Sequence, residues 1–80
     1  MPYYVYILEC KDKTLYVGST NNLKKRLHAH NHLKSGAHYT KIRRPVVLKY
    51  FKKLKSYSLA RKRENALKSL TRPEKLKLFS

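Results

Sequence analysis

The run Tyr3-Tyr4-Val5-Tyr6-Ile7-Leu8-Glu9-Cys10 is aromatic and β-branched with scarcely a polar interruption. That is the pattern of a strand covered on much of both faces, and so central in its sheet. Lys11-Asp12-Lys13 supplies a turn, and Thr14-Leu15-Tyr16-Val17-Gly18 returns as the second strand of a hairpin. Gly18-Ser19-Thr20-Asn21-Asn22 is turn and capping chemistry, so a helix is expected to start near Asn22. Leu23 and Leu27 fall on its apolar side, with Lys24, Lys25 and Lys34 outside it and Gly36 closing the region. Pro45 opens Val46-Val47-Leu48-Lys49-Tyr50-Phe51, a third strand whose first position tolerates a missing N–H.

Ser56 or Ser58 caps a second helix, in which Leu59, Ala60, Arg63, Glu64, Leu67 and Leu70 recur at helical spacing. Thr71-Arg72-Pro73-Glu74 starts a last short helix, with Pro suited to the first turn. The predicted order is β-β-α-β-α-α. It makes an α/β, more closely α+β, fold: a small three-stranded antiparallel sheet flanked by helices. No repeat, low-complexity tract or linker interrupts it, so residues 1–80 read as a single domain.

Composition narrows the function. The chain carries 20 Lys or Arg against 4 Asp or Glu, a formal net charge of +16. A hydrophobic fraction of 41%, with seven Tyr and two Phe, supports a modest core and excludes a disordered basic tail. Such charge on a compact domain draws polyanions, with nucleic acid the leading partner and an anionic membrane surface the second. The membrane is disfavoured because no segment has the apolar face of an interfacial helix. The single cysteine, Cys10, excludes an internal disulfide framework and a thiolate zinc site, so a reducing cytoplasm is expected. The apolar run at the N-terminus is too short for a signal peptide or a membrane span.

Only four acids are available to hold a cation. Glu9 ends a strand, Asp12 sits in a turn, and Glu74 follows the Pro of a helix start. Glu64 lies mid-helix beside Arg61, Lys62 and Arg63, either as a helix-surface ion pair or as the one acid placed for chemistry. A hairpin brings Tyr6 and Tyr16 to one face of the sheet, where cross-strand packing is the plainer explanation of the pair. Arg26 and His30, four apart, project from one side of the first helix and can reach one ligand together. His28, His30 and His32 make a poor zinc site, lacking an acid or thiolate and surrounded by positive charge. The basic runs, including Lys24, Lys25, Lys41, Arg43, Arg44 and Arg61, read as a phosphate-binding surface without sequence recognition.

Val5-Tyr6-Ile7, then Tyr16-Val17-Gly18 at hairpin spacing, then Asn22-Leu23-Lys24-Lys25-Arg26-Leu27 and His30-Asn31, resemble the GIY-YIG endonuclease domain. Ser56-Tyr57-Ser58-Leu59-Ala60 leading into Glu64 looks like the family's helix that bears its acidic metal ligand. The similarity spans essentially the whole chain and is strongest to the small single-domain bacterial branch, which ends in a segment similar to Leu70-Thr71-Arg72-Pro73-Glu74-Lys75. In the first triplet the usual Gly is Val5 and the final Tyr is Ile7.

The resemblance implies a metal-dependent DNA endonuclease, structure-selective or weakly sequence-specific, of a kind found in repair and recombination. Glu64 then holds one divalent ion, Mg2+ or Mn2+. Tyr6 and Tyr16 match the paired tyrosines, one of which takes the proton of the attacking water or acts as nucleophile or positioner, with nearby Lys and Arg expected to depress the pKa of a phenol acting as base. Arg26 matches the arginine on the scissile phosphate, and His30 a position within reach of water or phosphate. Leu76 stands where many members carry Asn, and Ser19 where repair nucleases of the family often carry Lys. These departures, and the lack of a recognition domain within these residues, keep a second reading open: a non-catalytic module that retains the fold to hold DNA or RNA. Targeting is expected from substrate structure, dimerisation or a protein partner, with monomer and homodimer both open.

Overall fold

A computed structural model describes residues 2–33 and 38–79, so the expectations for Lys34 and Gly36 lie outside the described residues. Strands β1 (Tyr3–Glu9), β2 (Leu15–Thr20) and β3 (Val47–Leu54) form one antiparallel sheet in the order β2-β1-β3. The apolar run is therefore the central strand, and Val5, Tyr6, Ile7 and Leu8 are all buried in succession, two on each face. Helices α1 (Leu23–His32), α3 (Tyr57–Lys68) and α4 (Arg72–Leu76) occupy the expected places in the chain. The sequence pattern did not predict α2 (His38–Lys41), a single turn between α1 and β3. β2 runs on to Thr20 and β3 to Leu54, both past their predicted ends. Pairing with β1 sustains those residues where local propensity does not.

Local chemistry sets the helix starts. Asn22 caps α1 by accepting from the Lys25 N–H, Ser56 caps α3 by accepting from the Leu59 N–H, and Thr71 with Glu74 forms a reciprocal capping box at α4. On one face of the sheet Val5, Ile7 and Val17 pack with Leu67 of α3, backed by Leu70 and Phe79. On the other, Tyr6, Leu8, Cys10 and Val46 pack with Leu23 and Leu27 of α1. The buried stripe of α3 is Ala60, Glu64 and Leu67, while Leu59, predicted on that stripe, stays 44% exposed. Asn31 clips α1 to the start of β3: its amide donates to the Val46 carbonyl at 3.1 Å and accepts from the Val46 N–H at 2.7 Å.

Candidate functional site

The strand pleat puts Tyr4, Tyr6 and Leu8 on the α1 face, and the register sets Tyr6 opposite Gly18 and Leu8 opposite Tyr16. Tyr6 and Tyr16 thus share one face, as the hairpin spacing predicted. The Tyr6 ring lies over β2 so closely that a Cβ on Gly18 would stand 2.5 Å from its hydroxyl oxygen and 2.7 Å from Cζ. The glycine of the second triplet is required for this close approach, not for an unusual backbone conformation.

His30 lies beneath both phenols. Its Nε2 is 2.9 Å from the Tyr6 hydroxyl and its Nδ1 is 2.7 Å from the Thr40 hydroxyl on α2. Tyr16 presents its ring to the imidazole at 5.2 Å and 64°, and stacks on Tyr39 of α2 at 5.8 Å and 29°. Arg26, one turn before His30 on α1, also hydrogen-bonds the Tyr6 hydroxyl. A guanidinium only donates, so the Tyr6 oxygen accepts from it. The tautomer that satisfies the line has Tyr6 O–H donating to Nε2 and Nδ1–H donating to Thr40. Burial, with the charges of Arg26 and Arg44, lowers the His30 pKa to about 4, so the imidazole is neutral near pH 7.

Two expectations are corrected here. His30 has no exposed surface and both ring nitrogens are engaged, by Tyr6 and Thr40, so it is not open to water or phosphate. The Tyr6 pKa is not depressed. Burial pushes it up to about 12, and the neighbouring Tyr16 and Glu64 add to the rise against the opposing pull of Arg26.

Glu64 approaches from the other face. Leu67 anchors α3 on Val5, Ile7 and Val17, and one turn earlier Glu64 meets Ser19, which lies beyond Gly18 on β2. Ser19 Oγ donates to Glu64 Oε1 at 2.7 Å, Lys68 Nζ lies 2.9 Å from Oε2, and Arg61 Nη1 lies 3.5 Å from Oε1. The carboxylate is 5% exposed, and its charge is among those acting on Tyr6. Burial alone would raise its pKa. The hydrogen bonds from Lys68 and Ser19 and the charges of Lys68 and Arg61 outweigh that and hold it below the usual range. Ser19, a departure by sequence, is therefore a direct partner of the candidate metal ligand. Thr40, Tyr39 and Lys68 were not legible as site residues. Only Lys68, four after Glu64 on one helix, left a signal in the spacing.

Among the described residues no group of three or more His, Cys, Asp or Glu converges on a cation position. The donor set still suits magnesium or manganese in one form: a single buried carboxylate completed by substrate phosphate and water. In that form Lys68, 53% exposed along its side chain, must swing away from Oε2.

The predicted phosphate-binding residues differ in their freedom. Lys24 and Lys25 are exposed on α1 beside Arg26, and Arg61 is exposed on α3 beside Glu64. Lys41 ends α2 and is half-buried. Arg43 is bound to Asp12 at 3.0 Å and lies over the Tyr39 ring at 4.0 Å. Arg44 donates to the carbonyls of Ala29, His30 and Leu33 and so caps the C-terminal end of α1. Leu76 is half-buried at the end of α4. No helix among the described residues is long and apolar enough to cross a membrane.

Comparison with known proteins shows the family. The chain is 56% identical over 76 residues to a UPF0213 protein of Syntrophus aciditrophicus, covering 95% of this chain and 87% of that one. It is 53% identical over 77 residues to a UPF0213 protein of Clostridium perfringens, covering 96% and 82%. Its fold is similar to the NMR structure of a UPF0213 protein from Bacillus halodurans, with TM-score 0.61 and 38% identity over 98% of this chain and 82% of that one. It is also similar to the NMR structure of an E. faecalis protein, with TM-score 0.65 and 36% identity over 98% and 83%. The GIY-YIG catalytic domain family matches residues 2–77, and this chain belongs to that family.

Proposed function

We propose that this protein is a metal-dependent endonuclease that hydrolyses phosphodiester bonds in DNA, with RNA as the lesser alternative. The observation that carries the reading is that Tyr6 with Arg26 on one face of the sheet, and Glu64 on the other, all adjoin β2 beside an exposed basic helix. Arg26 grips the scissile phosphate, where its fork spans two oxygens. Lys24, Lys25 and Arg61 hold the flanking backbone.

Water adds to phosphorus as the bond to the leaving sugar oxygen breaks. Tyr6, with its pKa raised to about 12, is a poor base. Its part is to hold Arg26 through a hydrogen bond that His30 and Thr40 keep aligned. Tyr16, half-buried on the same face, is the tyrosine that orients the attacking water, whose proton passes to solvent. Glu64 would hold a divalent ion, which when bound would supply Lewis-acid stabilisation of developing negative charge. Ser19 and the α3 backbone keep the Glu64 carboxylate in place for it.

The engagement of both Glu64 oxygens by Lys68, Ser19 and Arg61 favours one competing reading, a nucleic-acid-binding module with the nuclease fold. Incubation with labelled duplex, single strand, flap, junction and RNA, in magnesium or manganese, separates the two. Cleavage that Glu64→Ala and Tyr16→Phe each reduce by at least about 100-fold supports the enzyme. Binding without turnover, unchanged in Glu64→Ala, supports the module.

A further inference from the structure

A second groove adjoins the Arg26 surface. Thr20, Asn21, Asn22, Lys25 and Arg26 border a cleft of about 220 Å³. Across the Asn21-Asn22 turn, Tyr4, Leu23, Lys24 and Phe51 border another of about 470 Å³ that shares those two asparagines. Its floor is aromatic: the Tyr4 and Phe51 rings meet edge to face, with centroids 6.3 Å apart at 67°. Phe51 is 54% exposed on β3, where Lys49, Lys52 and Lys53 are exposed too. Beyond its edge-to-face contact with Tyr4, a half-exposed phenyl ring among lysines adds little to a core.

We propose that the Tyr4–Phe51 groove is a subsite for an unpaired nucleobase, stacked on Phe51 while Lys24 and Lys53 hold its backbone. The assignment rests on the reading of the Arg26 surface as a phosphate site, and it names the class of nucleotide beside it. Three features favour this occupant. Aromatic faces flanked by cations take bases of any sequence, which suits a site with no recognition motif. A paired base buries its faces against its neighbours, so only a nucleotide out of the duplex can present one. A second copy of the chain is disfavoured, because pairing β3 edge to edge would oppose lysine to lysine in a protein of net charge +16. The placement also fits the chemistry: Arg26 follows Asn22 by four residues of α1, a rise of about 6 Å, so the base would neighbour the gripped phosphate.

The test measures anisotropy of a fluorescein-labelled oligothymidylate and of a labelled duplex of equal length, in EDTA so that binding is separate from turnover. Phe51→Ala and Phe51→Leu should each weaken the single strand about tenfold while changing duplex affinity less than about twofold. The chain has no tryptophan, so Phe51→Trp adds a clean reporter. Its emission should be quenched by oligothymidylate and not by an abasic strand of the same length.

Equal losses on single strand and duplex, full affinity in Phe51→Leu, or no quenching would overturn the assignment. So would a dimer in sedimentation that Phe51→Ala converts to monomer with single-strand affinity intact, since the groove would then belong to a second copy. Absence of cleavage under any metal would sink the nuclease reading and leave these binding results interpretable.

Discussion

Two residues carry roles that follow from what surrounds them. Gly18 leaves the space that Tyr6 fills, so Gly18→Ala forces the phenol off β2. The expected cost is about 1 to 3 kcal/mol, read as a lower urea midpoint, together with loss of the Tyr6 bond to Arg26. An unchanged midpoint would show that the ring tilts away freely. His30 is held neutral with its pKa lowered to about 4, whereas in the unfolded chain it titrates near 6.5. Protons therefore bind the unfolded state first. Stability contributed by the neutral imidazole is present above pH 6.5 and lost as pH falls toward 4, by up to about 3 kcal/mol. Urea titrations across that window should show the loss in wild type and a flatter profile in His30→Leu. Equal slopes would assign the dependence to other groups.

At the scale of elements, α1 is the part on which the site depends, since it carries Arg26 and His30 and is fastened at three points. Asn22 caps its start, Asn31 clips it to Val46, and the Arg44 guanidinium closes its end. Arg44→Met keeps the apolar stem and removes three charge-assisted bonds to helix carbonyls. It should destabilise the fold by about 2 kcal/mol and raise amide exchange in the last turn of α1. If exchange there is unchanged, the cap is dispensable and Arg44 is available to phosphate. The starts of these helices were legible because side-chain caps are local chemistry. The single turn α2 was not, because its place is set by Thr40 and Tyr39 meeting His30 and Tyr16, partners on other elements that local propensity does not reach.

For the whole molecule, a charge of +16 makes binding to any polyanion steep in salt. Plots of log K against log salt on duplex DNA should flatten by about 1.8 when Lys24→Gln and Lys25→Gln are combined, at about 0.9 per phosphate contact. An unaltered slope would place the backbone away from α1. Charge alone gives attraction without position. What gives position is that α1 and α3 close on opposite faces of one sheet, α1 bringing Arg26 to Tyr6 and α3 bringing Glu64 to Ser19 of β2.

The sequence by itself determined the central strand, the hairpin, the helix caps and the basic surface, because each follows from periodicity, local hydrogen bonding or composition. It also singled out Tyr6, Tyr16, Arg26, His30 and Glu64 through their spacing. Only the tertiary structure decided which partners these residues meet. It buried His30 between Tyr6 and Thr40, and burial raises the Tyr6 pKa. It turned Ser19 from a missing lysine into a donor to Glu64, and committed Arg44 to a helix end. Burial and the choice of partner depend on which distant segments meet, and spacing along a chain does not encode that.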